Sequence, residues 1–302
     1  MDLITLRAGD ARLQLAPGAG GAIVRYWWER SGAVHEWLRP ATRDWLDGRD
    51  PYQASAFPLV PYSNRIREGR FVFDGREVTL PRNRPPERHS IHGHGWQGTW
   101  TPLEVSSSTA RLEYRHAAGA WPWAYRAEQR LALASTSLTV ELGVCNDSAT
   151  AMPAGLGWHP YFPRTPRTTL TAAVRAMWLT DDEMLPARLE TPAPERDPSR
   201  GLAADEVVLD NGFTGWCGRA VIDWPELGTR VVMTAGPPLD VLTVYTPPRR
   251  PFLCVEPVSH VTDAINLVVA GRADTGLRVL EPGETLSAAV TLTPEIDARP
   301  RA

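Results

Sequence analysis

The chain has 302 residues, 43% of them hydrophobic, and a formal net charge of −3, which is ample for a packed core and leaves no basic face of the kind that binds nucleic acid. Every side-chain cation other than histidine is an arginine, and these are scattered along the sequence. No apolar run reaches the ~18 residues of a membrane helix, and Met1-Asp2-Leu3-Ile4-Thr5-Leu6-Arg7 has no signal-peptide pattern. Three cysteines without CxxC spacing fit a reduced, cytoplasmic protein.

In chain order, the first strand candidate is 22–28, followed by a short helical piece at 42–46. Residues 69–73 and 76–80 flank Asp74-Gly75 and read as a hairpin, because Asp-Gly tolerates the positive φ of a tight turn. Pro81, Pro85 and Pro86 make 81–88 irregular. Further strands are predicted at 110–114, 125–133, 137–144 and 168–179. Residues 181–200, with four prolines, read as a surface excursion. The last strands fall at 219–224, 229–234, 241–245, 277–280 and 286–292, where Leu286, Ala288, Val290 and Leu292 share one face. Helical periodicity is almost absent. The pattern predicts an all-β protein, a large antiparallel sandwich or barrel, as a single domain over 1–302.

Gly93-His94-Gly95-Trp96-Gln97-Gly98 matches the dinucleotide pattern GxGxxG. Neither a buried strand precedes it nor a helix follows, so the match is formal. His92 and His94 are two apart and would share a face on a strand, where they can chelate a metal; the glycines around His94 suggest a loop instead. Asn64-Arg65 follows a proline-bounded apolar run. Arginine offers a rigid fork of donors to vicinal oxygens, and asparagine offers a donor and an acceptor; a structural role satisfying loop carbonyls competes equally. Asp210 opens Asp210-Asn211-Gly212, where an Asx-type turn is the plain alternative to ligand binding. Gly157-Trp158-His159-Pro160-Tyr161-Phe162 and Phe252-Leu253-Cys254-Val255-Glu256-Pro257 each set one titratable group in an apolar strand. A buried His or Glu must be paired or used. Twelve tryptophans mildly favour a sugar ligand, whose flat apolar face packs on aromatic rings.

Five segments in this order, Ser63-Asn64-Arg65-Ile66, Ile91-His92-Gly93, Trp158-His159-Pro160-Tyr161-Phe162, Leu209-Asp210-Asn211-Gly212-Phe213 and Val255-Glu256-Pro257, together resemble the aldose 1-epimerase (galactose mutarotase) family over nearly the whole chain. The resemblance implies the galactose mutarotase-like supersandwich, with a sugar cleft on one sheet. It implies Glu256 as general base and His159 as general acid. The residues His92, Arg65 and Asp210 then hold the sugar, with His92 also near the ring oxygen; Asn64, beside Arg65, is read as a further sugar contact, and His94 is the alternative to His92 for the hydrogen bond to the ring oxygen. No cofactor and no metal are expected. The expected partner is a small-molecule sugar, without nucleic acid or membrane, on a monomer or weak homodimer. The expected attraction between Glu256 and His159 would lower the first pKa and raise the second. A non-catalytic carbohydrate-binding sandwich and a metal-dependent cupin-type sugar enzyme using His92 and His94 are the alternatives. Here His94 follows Gly93 where the family often has glycine, and Trp158 and Pro160 flank His159, which bears on the sugar preferred.

Overall fold

Alternating burial along the strands dictates how this chain layers. In Tyr125–Leu133 every second residue is buried, as a strand covered on one face requires. A computed structural model describes residues 2–48 and 50–297. One sheet runs in the order Ile4–Ala8, Ala11–Ala16, Ala22–Arg30, Ala56–Leu59, Gly157–Pro163, Phe252–Val258, Val241–Tyr245, Asp210–Thr214, Ala176–Thr180 and Pro186–Glu190, with Ala33–Glu36 paired to Ala22–Arg30. The other runs Thr101–Val105, Thr109–His116, Tyr125–Leu133, Leu138–Asn146, Thr285–Ile296, Thr229–Ala235, Arg219–Trp224, Thr169–Ala172 and Leu202–Ala203. The sheets are large and antiparallel, and the described helices longer than one 3₁₀ turn are only Arg43–Leu46 and Ala264–Val269. No helix among the described residues is long and apolar enough to cross a membrane. The three cysteines are free.

The predicted strand 168–179 is two strands. Thr169–Ala172 pairs in one sheet and Ala176–Thr180 in the other, so the chain crosses between layers at residues 173–175. Its β-branched and apolar residues run on both sides of Arg175 and suit a strand in either sheet, which conceals the break. The stretch 181–200, predicted irregular, contains the edge strand Pro186–Glu190. There Pro186 opens the strand, a position that tolerates a missing donor.

Strand Gly157–Pro163 shows how the layers divide the labour. Trp158 and Phe162 point into the main core with Leu253 and Val255 of the neighbouring strand. Tyr161, Phe57 and Cys254 belong to a second apolar cluster on the opposite face. Trp158 is 2% exposed. Trp158→Ala is expected to cost about 3–5 kcal/mol from the lost transfer energy and the cavity left behind, read as a lowered urea midpoint at unchanged slope.

Candidate active site

The register sets the centre of the site. Gly157 lies opposite Val258 and Tyr161 opposite Cys254, which places His159 across from Glu256 on the same face. On the other side His159 is opposite Phe57. His159 Nε2 is 3.3 Å from Glu256 Oε1, and both side chains are buried. The imidazole is sandwiched between Tyr161, with centroids 4.7 Å apart and planes at 18°, and Phe57 at 4.6 Å. Arg39 lies over the Tyr161 ring, 4.2 Å from its centroid, and donates to the carbonyl of Ala54 at 2.5 Å.

Burial dominates the electrostatics of the pair. It drives the His159 pKa down to about 3, helped by the Arg39 charge. It lifts the Glu256 carboxyl well above the ordinary carboxylate range; Asp210 adds to the rise and Arg65 opposes it. The sequence expectation that attraction would lower Glu256 and raise His159 is therefore corrected. In this apolar setting desolvation of both charges outweighs their mutual attraction, and both groups are pushed toward their neutral forms.

A loop cradles the next residues. The backbone N–H of Asn64 donates to His92 Nδ1 at 3.0 Å, so neutral His92 carries its proton on Nε2. Burial, with the charges of His159, Arg65 and Arg84, holds the His92 pKa well below its usual value. The rings of His92 and His159 lie 5.2 Å apart. Asn64 Oδ1 accepts from the Arg65 backbone N–H at 2.9 Å and from Arg65 Nη1 at 3.2 Å. The Arg65 fork is thereby aimed at Asp210, 3.3 Å from Nη2, and Glu87, 3.3 Å from Nε. Two buried groups brace this loop from below. His260 Nε2 accepts from the Ser63 N–H at 3.1 Å, and Asp263 accepts from the Arg67 N–H at 2.9 Å.

His159, Glu256, His92, Asn64, Arg65 and Asp210, all expected from the sequence, line one cleft. Asp210 is the first residue of its strand, paired with Tyr245, rather than a turn residue. Tyr52, Arg84, Glu87, Ile91, Tyr161 and Tyr245 complete the wall. Of these only Ile91 and Tyr161 sat in motifs that the sequence singled out. Glu87 and Arg84 were hidden in the proline-rich 81–88 stretch, which composition marks only as irregular.

His94 is the exception. It does not line the cleft: its Nδ1 meets the Tyr125 hydroxyl at 3.1 Å and its ring stacks on His116 at 4.3 Å. His92 and Gly93 both take left-handed backbone, with φ of 62° and 66°. The two-residue strand rule that would align His92 with His94 therefore fails. The N–H groups of His94 and Gly95 both donate to the Val60 carbonyl, turning the chain away. The substrate contact and the paired His92–His94 metal site expected of His94 both fall on this turn. His94→Asn is expected to remove the Tyr125 bond at a cost of about 0.5–1.5 kcal/mol, visible as a lower Tm.

A separate depression on the nine-stranded sheet is lined by Glu113, Arg126, Glu128, Arg130 and Glu141. Arg130 pairs with Glu128 there, Arg126 with Asp147 and Glu113 with Arg115, and none of these is a buried acid–base pair.

A two-sheet antiparallel sandwich with a polar cleft on the central strands defines a galactose mutarotase-like fold. A crystal structure of a galactose mutarotase-like protein from Clostridium acetobutylicum superposes with a TM-score of 0.85 at 21% identity, covering 97% of this chain and 95% of that one. A candidate aldose 1-epimerase of Escherichia coli K12 gives 0.88 at 32% identity, covering 98% and 99%. YphB of Escherichia coli (strain K12) is 32% identical over 303 residues, covering 98% of this chain and 99% of its own. The sequence matches the aldose 1-epimerase family over residues 2–293, and the chain belongs to that family.

Proposed function

We propose that the protein is an isomerase that interconverts the α and β anomers of an aldose. The observation that carries this reading is the buried contact of 3.3 Å between His159 Nε2 and Glu256 Oε1 in a cleft rich in hydrogen-bonding groups. Opening a hemiacetal removes the C1 hydroxyl proton and delivers a proton to the ring oxygen. Both oxygens sit on one carbon, so acid and base must stand side by side. Glu256 takes the hydroxyl proton as the C1–ring-oxygen bond breaks, and His159 protonates the ring oxygen. The free aldehyde turns about its C1–C2 bond, and closure on the other face runs both transfers backwards. His92 donates its Nε2 proton as a hydrogen bond to the ring oxygen. Arg65, Asn64 and Asp210 hold the hydroxyls.

The working pair carries one dissociable proton. Proton on Glu256 with both groups neutral, and proton on His159 with both charged, are the same protonation state. Burial favours the first, and the polar oxygens of the sugar draw the proton across. This state gains a second proton as pH falls through the His159 value of about 3. It loses its proton as pH rises through the raised Glu256 value. The rate profile is expected to be a bell whose limbs belong to the pair. The acid limb lies far below an ordinary histidine value and the alkaline limb above the ordinary carboxylate range. Polarimetry of freshly dissolved α-sugar over a pH series checks it; an acid limb at the usual histidine pKa contradicts it. Absence of any catalysed exchange across a panel of aldoses rejects the mutarotase reading itself.

A further inference from the structure

Arg65, the cation expected from the sequence, is neutralised on two sides by Glu87 and Asp210. Arg84 lines the same cleft and has no carboxylate partner among the described residues. Its guanidinium lies on the Tyr52 ring, 3.8 Å from the centroid. The backbone beside it is fixed. Asn83 Nδ2 donates to the carbonyls of Ile91 at 2.7 Å and Gly93 at 3.1 Å, and Asn83 Oδ1 accepts from the Ile91 N–H at 2.9 Å. The Glu87 N–H donates to the Arg84 carbonyl at 2.7 Å. Arg84 is therefore held beside the His92 segment by its neighbours on both sides.

The Tyr52 hydroxyl is buried and has no hydrogen-bond partner. The Tyr52 ring lies 5.8 Å from that of His92 and 6.3 Å from that of His159, in the wall of the cleft. A charged donor and a neutral donor thus stand together with nothing in the protein to receive them. The Arg84 charge acts on Tyr52, His92 and Tyr245. The charges acting on Glu256 are those of Asp210 and Arg65 instead. Arg84 lies on the Tyr52 ring and not against the His159–Glu256 pair, so it is open to a part of the ligand other than C1. The cleft continues beside Arg84 into a depression lined also by Glu87, Asp182 and the Arg88–Glu183 ion pair, which gives a substituent room and leaves Arg84 as its unpaired cation among the described residues.

We propose that Arg84, laid across Tyr52, selects an aldose carrying an anionic group on its carbon chain away from the anomeric carbon, a carboxylate or a phosphate ester. A planar guanidinium matches either oxyanion with two parallel N–H bonds, and the Tyr52 hydroxyl supplies a third donor. A neutral hydroxyl can accept one such bond but leaves the charge unpaired. The orientation of the sugar rests on the mutarotase reading; the anion preference does not.

The test compares each neutral hexose with its uronate and its 6-phosphate, in the gluco and galacto series, at fixed ionic strength. Kd is measured by isothermal titration and anomer exchange by NMR, for the wild type, Arg84→Gln and Arg84→Lys. In wild type one anion of a series binds about tenfold or more tighter than its neutral parent, as expected for a charge-assisted pair. The anion that wins distinguishes carboxylate from phosphate. That ratio falls toward unity in Arg84→Gln and recovers in part in Arg84→Lys. Because the ratio is read within one protein, general damage to the cleft cancels. No anion preference in either series, or a preference unchanged in Arg84→Gln, overturns the proposal. Selective binding without wild-type anomer exchange upholds Arg84 and overturns the mutarotase reading instead.

Discussion

Glu256→Gln is expected to slow anomer exchange by about 10²–10⁴-fold, and His159→Ala by a similar factor, since each removes one positioned proton-transfer group. Glutamine keeps the size of the glutamate and one acceptor oxygen, so packing is conserved while the base is lost. Stability should move the other way. The Glu256 carboxyl is held above its ordinary value by burial. Such a group favours the fold fully below the unfolded carboxylate pKa, and that contribution is lost as pH rises through the raised folded value. Glutamine never ionises, so the Tm advantage of Glu256→Gln over wild type should widen from acid toward alkaline pH. For His159 the sign is opposite. Its depressed pKa favours the fold above the ordinary histidine value, and that contribution is lost as pH falls toward about 3. Anomer-exchange NMR with parallel melting curves reads both effects. Near wild-type exchange in either variant would remove that residue from the mechanism.

Arg65→Met carries the next largest expected effect. Its guanidinium ties Asp210 and Glu87 together and is itself mostly buried. Cutting one partner from such a pair leaves uncompensated charge, at a cost of about 2–5 kcal/mol, and the cleft then holds three carboxyl groups around one histidine pair. On the proposed reading the fork holds hydroxyls in ground and transition states alike, so the loss should appear mainly in KM. A second signature separates this role from simple scaffolding. Arg65 is the cation that pulls the Glu256 pKa down against burial, so its removal should push the alkaline limb of the rate profile to higher pH. Arg65→Lys restores the charge but not the fork, and should return the limb more than the KM.

Much of this site was legible because the residues that do proton chemistry cannot be buried in apolar strands without a reason. His159 and Glu256 announced themselves in that way, and their facing register follows from antiparallel pairing once their strands are neighbours. Asp210 was ambiguous, because Asp-Asn-Gly is turn chemistry by composition; its place at the head of a strand beside Tyr245 depends on a partner distant in sequence. His94 misled because the period-two rule holds only for extended backbone, and two successive left-handed residues break it. Arg84, Glu87 and Tyr52 were invisible, since each lies in a loop whose position is fixed by hydrogen bonds to other segments. The short helix Ala264–Val269 escaped because six residues carry too little periodicity to register.

The strands bearing His159 and Glu256 are the fifth and sixth of the ten along their ladder, flanked by paired strands on both sides. Excursions that fray a sheet begin at its borders, where fewer bonds must break. His159 and Glu256 therefore ride on backbone whose amides are expected to exchange with solvent most slowly, while Arg84 and Glu87 are held by a few hydrogen bonds between loops. On the proposed reading, proton transfer and anion choice would thus rest on differently anchored backbone, and amide exchange should protect the first more than the second.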